Sequence, residues 1–333
     1  MIGNSAALAS ALDQLSHLAS INRPILIMGD RGTGKELAAE RLHFLSPRWD
    51  APLLKVNCAA MADSLLESEL FGHEAGAFTG ATRMQRGRFE RADGGTLFLD
   101  ELATMSVRVQ EKLLRLVEYG EFERLGGQQT LSVDVRVIAA SNVDLQQLAA
   151  DKGFREDLLD RLSFDVVHLP PLRHRVEDIP ELAQHFAIQM SAELGRDLFA
   201  GFTTAAMNTL ELHSWPGNIR ELKNVVERSV YRWTDPGQPV DTIVVDPFQS
   251  PFAEREASPT ESTQAQTSRE PDQTADFTQR IDTIEKDLLQ EALRNNQHNQ
   301  RRTADALGLS YDQLRGLVRK HQLTGRRRKR KSE

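Results

Sequence analysis

The chain has 333 residues, 40% hydrophobic and 27% charged, with a formal net charge of −7. That length and composition suit a soluble globular protein of about two domains. No apolar run approaches the ~20 residues of a membrane helix, no basic-then-apolar leader opens the chain, and a lone cysteine, Cys58, excludes an internal disulfide. A membrane-inserted or secreted disulfide scaffold is therefore excluded, and a cytoplasmic protein is expected. The charge is uneven. Residues 300–331 hold eleven Arg or Lys against two Asp, which leaves −16 on the remainder. A basic end on an acidic body predicts a polyanion, such as nucleic acid, as partner of that end, or a tail that is simply solvated.

In chain order, short apolar runs at 24–28, 53–58, 96–99, 133–140 and 164–169 read as strands. Helical patterns at 35–45 and 107–119 lie between them. Such alternation predicts an α/β unit with a mainly parallel sheet and helices on both faces. After Pro170-Pro171 the strand pattern stops, and the sequence to about residue 234 reads as all-helical. Residues 249–276 are rich in Ser, Thr, Gln, Glu and Pro and nearly devoid of large apolar side chains, the composition of a flexible linker. Beyond it, Ile281, Ile284, Leu288, Leu289, Ala292 and Leu293 recur at helical spacing. Further helices are expected at 301–307 and 310–321, around a turn at Gly308-Leu309. The expected division is 1–170, an α/β nucleotide-binding unit; 171–248, a helical lid; 249–276, a linker; 277–324, a helix-turn-helix unit; and 325–333, a basic tail.

The first strand runs into Gly29-Asp30-Arg31-Gly32-Thr33-Gly34-Lys35-Glu36 and then a helix. This is G-x-x-x-x-G-K in its strand–loop–helix context, a phosphate-binding loop. Glycines let backbone N–H groups face phosphate oxygens, the helix N-terminus adds partial positive charge, and Lys35 reaches the β- and γ-phosphates. The hydroxyl residue usual after the lysine is replaced by Glu36, so a bound Mg²⁺ depends on other groups. A second element, Gly94-Gly95-Thr96-Leu97-Phe98-Leu99-Asp100-Glu101, is an apolar strand closing on two carboxylates. Asp100 is placed to hold Mg²⁺ and Glu101 to polarise water for in-line attack on the γ-phosphate of ATP.

These motifs, together with Glu69-Leu70-Phe71-Gly72-His73-Glu74-Ala75-Gly76-Ala77-Phe78-Thr79-Gly80-Ala81, resemble AAA+ ATPases of the bacterial enhancer-binding type, the activators of sigma-54 RNA polymerase. The likeness spans nearly the whole chain, and GAFTGA at 76–81 is its most specific part; Glu36 also fits that group's version of the phosphate loop. On its residues alone, 76–81 is a glycine-flanked loop whose single bulky side chain, Phe78, is either a contact tip or a plug on the core. The resemblance implies that Gly76, Ala77, Phe78, Thr79, Gly80 and Ala81 touch sigma-54. It further implies that Asn57 is a switch hydrogen-bonded to Glu101, that Asn142 senses the γ-phosphate, and that Arg220 in a Trp-Pro-Gly-Asn-Ile-Arg run is the lid's nucleotide contact. Arg155 and Arg161 match arginines that reach a neighbouring subunit's nucleotide, which implies a ring homo-oligomer, hexameric in the family. For a lone arginine on residues alone, a surface ion pair is the ordinary reading.

At the C-terminal end, Ser310 suits a helix N-cap, and residues 303–310 have the small-residue and glycine pattern of a helix-turn-helix. The unit resembles the Fis-type module of these activators, with Tyr311, Gln313, Arg315 and Arg319 expected on enhancer DNA; the residues alone also permit a three-helix dimerisation bundle. The 326–331 cluster adds salt-dependent phosphate contacts. Because the nucleotide unit starts almost at Met1, the chain resembles the phage-shock type of this family, which lacks an N-terminal regulatory domain. That likeness implies a stress-response role and control by a separate inhibitory protein, phage-shock regulator A. Trp49 is either an exposed anchor for it or a half-buried junction residue.

Overall fold

The computed structural model describes residues 1–247, 285–286, 288–290, 292–293, 296 and 299–321. The chain divides into two units, Met1–Pro251 and Phe252–Glu333. The expected linker at 249–276, Ile281, Ile284 and the basic run at 326–331 lie outside the described residues.

In the first unit, helix α1 (Ala6–Ala19) precedes β1 (Ile25–Met28), α2 (Lys35–Phe44), β2 (Leu53–Asn57) and α3 (Asp63–Phe71). A two-residue pair, β3 (Gly72–His73) with β4 (Gln85–Arg86), then brackets the glycine loop, and α4 (Arg88–Arg91), β5 (Thr96–Asp100) and α5 (Val107–Tyr119) follow. A hairpin of β6 (Glu121–Glu123) and β7 (Thr130–Ser132) leads into β8 (Arg136–Ser141), α6 (Leu145–Ala150), α7 (Glu156–Leu162) and β9 (Asp165–His168). The five long strands form one parallel sheet in the order β2-β5-β8-β1-β9. One face of the sheet packs on Phe71, Phe89, Leu113 and Leu158, the other on Leu15, Leu18 and Leu42. The doubly covered α/β architecture expected from strand–helix alternation is therefore present.

The apolar run at 133–140 is not one strand: Val133 donates to Gly120 O (2.8 Å) as it leaves the hairpin, and pairing in the main sheet begins at Arg136. Arg136 is buried and caps the C-terminal end of α1, its guanidinium donating to Leu18 O (2.8 Å) and Ala19 O (2.9 Å). Phe164 stands outside β9 and is exposed.

Beyond Pro171, α8 (Ile179–Glu193), α9 (Thr204–Leu212) and α10 (Asn218–Arg232) enclose a separate core around Trp215, Leu222 and Val226. This is the helical lid. Among the described residues no helix is long and apolar enough to cross a membrane.

In the second unit, α11 (Gln300–Ala306) and α12 (Tyr311–Lys320) pack through Ala304, Leu314 and Val318 onto Leu289 and Leu293. Gly308 turns between them at φ +66°, where a Cβ would be strained. Ser310 and Gln313 form a reciprocal capping box, at 3.3 Å to the Ser310 hydroxyl and 2.9 Å to the Gln313 carbonyl.

Candidate nucleotide site and its coupling loop

The phosphate loop lies between the C-terminal end of β1 and the start of α2. Gly32 has φ +78°, and a Cβ on it would stand 2.2 Å from Gly217 O, so only glycine fits. Lys35 is buried, and its ammonium donates to Gly29 O (2.8 Å) and Asp30 O (3.1 Å). Burial lowers its pKa, while Asp100 and Glu101 nearby oppose that shift. Asp100 shows the converse: burial raises its pKa, against the Glu101 N–H (2.9 Å) and Lys35. Lysine and carboxylate thus stabilise each other's charge in a partly desolvated site.

Glu101 turns the chain sharply at φ +54°, ψ +44°. A left-handed non-glycine residue costs roughly 1–2 kcal/mol and clusters at functional sites. Asp30, which accepts from Arg173 at 2.7 Å, and Asn142 line a cavity of about 950 Å³ that opens beside Gly29. Lys35, Asp100 and Glu101 lie outside its lining.

Two side chains of the site have partners of their own. Asn57 does not bond Glu101 here. Its Oδ1 accepts from Ala59 N (2.9 Å), the local turn that asparagine forms readily with its own backbone. The register nonetheless places it beside Asp100. Glu36 pairs its carboxylate with Lys55 (2.8 Å), in keeping with a Mg²⁺ site that depends on other groups.

Arg155 pairs with Asp157 through both carboxylate oxygens (3.0 and 2.7 Å), and exposed Arg161 pairs with Glu118 at 2.9 Å. Both are the surface ion pairs that the residues alone suggest. Trp49 is 62% exposed, not half-buried. Tyr311, Gln313, Arg315 and Arg319 are exposed on α12; the Gln313 carbonyl is engaged in the cap, and the Arg301 guanidinium lies 5.8 Å from the Tyr311 ring.

The lid grips the phosphate loop through residues that sequence reading left without a role. Asn218, fully buried at φ +52°, donates to Arg31 O (2.9 Å) and accepts from Leu172 N (2.7 Å). Ile219 N donates to Gly32 O (3.0 Å), and buried Arg175 to Thr33 O (3.3 Å). Carbonyls of three successive loop residues are thereby held by the lid and the segment leading to it. The Gly-Asn pair after Trp215-Pro216 was the available cue, since asparagine tolerates the left-handed region.

The loop at 76–81 stands on β3–β4. Gly76 and Gly80 have φ +84° and +104° with nothing within 4 Å of a would-be Cβ. Phe78 is 46% exposed, its ring edge-on to buried His73 at 4.9 Å, and His73 is fixed by Ser68 (2.8 Å). It is therefore neither a core plug nor free of the loop base. Beneath it, Leu125 bridges the hairpin to Gly72 O and Glu74 N (both 3.0 Å). Arg124 joins Glu74 (2.7 Å) to Glu90 (2.6 Å) and holds the Glu90 carboxyl below its usual range.

The Sigma-54 interaction domain family matches residues 1–168. The chain belongs to this family. In this sigma-54 activator the AAA+ ATPase lid domain matches 173–265, and the bacterial regulatory protein, Fis family, matches 280–316. The sigma-54 activator is 54% identical over 323 residues to the Psp operon transcriptional activator of Escherichia coli strain K12, covering 97% of this chain and 98% of that one. It is 49% identical to the Nif-specific regulatory protein of Azotobacter vinelandii, over 69% of this chain and 44% of that protein. NtrX from Brucella abortus in complex with ATP superposes at a TM-score of 0.68, with 33% identity, covering 96% of this chain and 69% of that one. The sigma-54 activator is thus an AAA+ ATPase and an enhancer-binding transcription activator, with a C-terminal helix-turn-helix unit.

Proposed function

We propose that this activator hydrolyses Mg²⁺-bound ATP in the cytoplasm, and that hydrolysis drives the loop at 76–81 against sigma-54 to remodel the closed promoter complex. The observation that carries this reading is the continuity of one helix. The turn after Glu101 leads into α5, about 20 Å long at 1.5 Å per residue, and α5 ends on the hairpin that supports the loop. Residues 1–170 carry the chemistry, 171–248 form the lid, 249–276 link them to the DNA-binding unit at 277–324, and 325–333 form the basic tail.

In the reaction, Gly29, Asp30, Arg31, Gly32, Thr33, Gly34 and the Glu36 backbone cradle phosphates, and Lys35 exchanges its carbonyl partners for β- and γ-phosphate oxygens. Glu101 orients water in line with the γ-phosphorus and takes its proton; the phosphorus–oxygen bond to ADP breaks, releasing phosphate. Asp100 would hold Mg²⁺, which would supply positive charge against that developing on the phosphates. Among the described residues no group of three or more His, Cys, Asp or Glu is arranged to hold a metal ion. That fits an ion that usually keeps several waters.

Asn142 reads the γ-phosphate from the end of β8, and Arg220 contacts nucleotide from the first turn of α10. Asn57, beside Asp100, switches to Glu101 when nucleotide is bound. Arg155 and Arg161 leave Asp157 and Glu118 to reach the nucleotide of a neighbouring subunit in a homo-oligomeric ring, hexameric as the resemblance implies. Exposed surface ion pairs are worth about 0–1 kcal/mol and exchange readily.

Tyr311, Gln313, Arg315 and Arg319 contact enhancer DNA. Likeness to the Psp operon activator supports a phage-shock, envelope-stress role, and exposed Trp49 suits docking of an inhibitory regulator such as phage-shock regulator A. Deleting residues 276–333 is expected to abolish specific gel-shift of promoter-upstream DNA while phosphate release per chain persists. Retained specific binding would remove the helix-turn-helix from this role.

A further inference from the structure

Gln110 lies in the first half of α5 and is completely buried. Its side chain joins three backbone positions. Nε2 donates to Met105 O (2.8 Å) and to Gly153 O (3.3 Å), and Oε1 accepts from Arg155 N (2.9 Å). Met105 closes the 3-10 turn that begins at left-handed Glu101. Gly153 and Arg155 flank buried Phe154 and set the entry to α7, for which Arg155 is the N-cap residue. One amide therefore spans from the turn that follows Glu101 to the backbone of Arg155 at the entry to α7.

We propose that Gln110 is a positioning residue for Arg155: it sets that arginine's backbone from the position of the Glu101–Met105 turn, and so ties the state of one subunit's nucleotide to the arginine it offers the next. The inference rests on the reading of Arg155 as an interfacial arginine. A buried amide can make four hydrogen bonds, and three are made here, each to main chain. The amide thus transmits displacement rather than merely filling space. When the turn shifts as the γ-phosphate leaves, Met105 O moves, the amide follows, and the Arg155 N–H follows the amide. A shift of about 1 Å at a catalytic group changes rate by about 10²-fold, so a small movement suffices to withdraw the arginine.

Subunit mixing of the full-length chain separates this role from ordinary packing. Gln110→Met keeps length and volume but removes all three bonds; Gln110→Glu, which keeps the Oε1 acceptor, serves if the first variant does not fold. Rings of Gln110→Met alone are expected to lose at least about tenfold of ATPase. Glu101→Ala rings are inactive but carry an intact Gln110 and Arg155. Mixed with Glu101→Ala subunits, Gln110→Met is expected to regain activity as Arg155→Ala does in the same mixture, because the neighbour supplies the missing arginine. A defect confined to the variant's own site or fold would not be repaired by a neighbour. Recovery with Arg155→Ala but none with Gln110→Met overturns the proposal, as does wild-type ATPase in Gln110→Met rings. No recovery with Arg155→Ala itself overturns the interfacial reading of Arg155 and the proposal with it.

Discussion

Glu101→Ala is expected to bind ATP within a few-fold of wild type and to turn it over about 10²–10⁴-fold more slowly, the usual contribution of a positioned general base. Several features of the site support separating binding from chemistry. The groups that hold phosphates belong to the loop and to Lys35, whereas Glu101 stands in the turn just after strand β5, where its backbone N–H donates to Asp100. Among the described residues its carboxylate makes no hydrogen bond or ion pair. The backbone at Glu101 is already left-handed, and alanine inherits that conformation without new strain. Lys35 keeps its opposing charge in Asp100, so its ammonium remains available to phosphate. The measurement is single-turnover phosphate release beside equilibrium binding of a fluorescent ATP analogue. Turnover within about twofold of wild type would contradict the assignment of the base, since one proton-transfer group is worth far more than that.

Phe78→Ala is expected to leave ATPase within about twofold of wild type and to reduce open-complex formation at least about thirtyfold. The second figure corresponds to about 2 kcal/mol, the lower bound for an aromatic hot spot at a protein interface. The loop pays little for the change: Phe78 is 46% exposed, touches His73 at its ring edge, and lies between glycines whose surroundings are open. Truncation therefore removes a contact surface rather than a core residue, and the loop base survives. Ser68, His73, Leu125 and the Arg124 bridge hold β3–β4 without Phe78. Transcription from a sigma-54 promoter with purified holoenzyme reads the loss, and phosphate release in the same tube reads the ATPase. Full activation by the variant would remove Phe78 from the coupling surface; loss of both activities would mean that the loop instead supports the nucleotide site.

The parallel sheet and the glycine-rich loop were legible because buried parallel strands read as continuous apolar runs and a phosphate loop has a fixed spacing of glycine and lysine. What stayed hidden is carried by contacts distant in sequence. The two short pairs, β3–β4 and β6–β7, have two or three residues per strand, too few for a period of two to register. Arg124 has no partner in its own stretch of sequence until the fold brings Glu74 and Glu90 to it from 50 and 34 residues away. Gln110 falls on the apolar stripe of α5 with Leu113, Leu114 and Val117, but its spacing does not tell which distant backbone groups its amide reaches. Asn57 shows the opposite limit. Its place next to Asp100 follows from the strand register, but its hydrogen bond is local, to Ala59 N, a choice that the residue type allows and strand pattern does not decide.

The most direct measurement of the coupling is retention of purified sigma-54 on immobilised activator with ADP and aluminium fluoride, a mimic of the phosphoryl group in flight. Wild-type protein is expected to retain sigma-54 with the mimic and to release it with ADP alone, while Phe78→Ala retains none in either state. Equal retention by Phe78→Ala, or none by the wild-type protein despite bound nucleotide, would contradict the account.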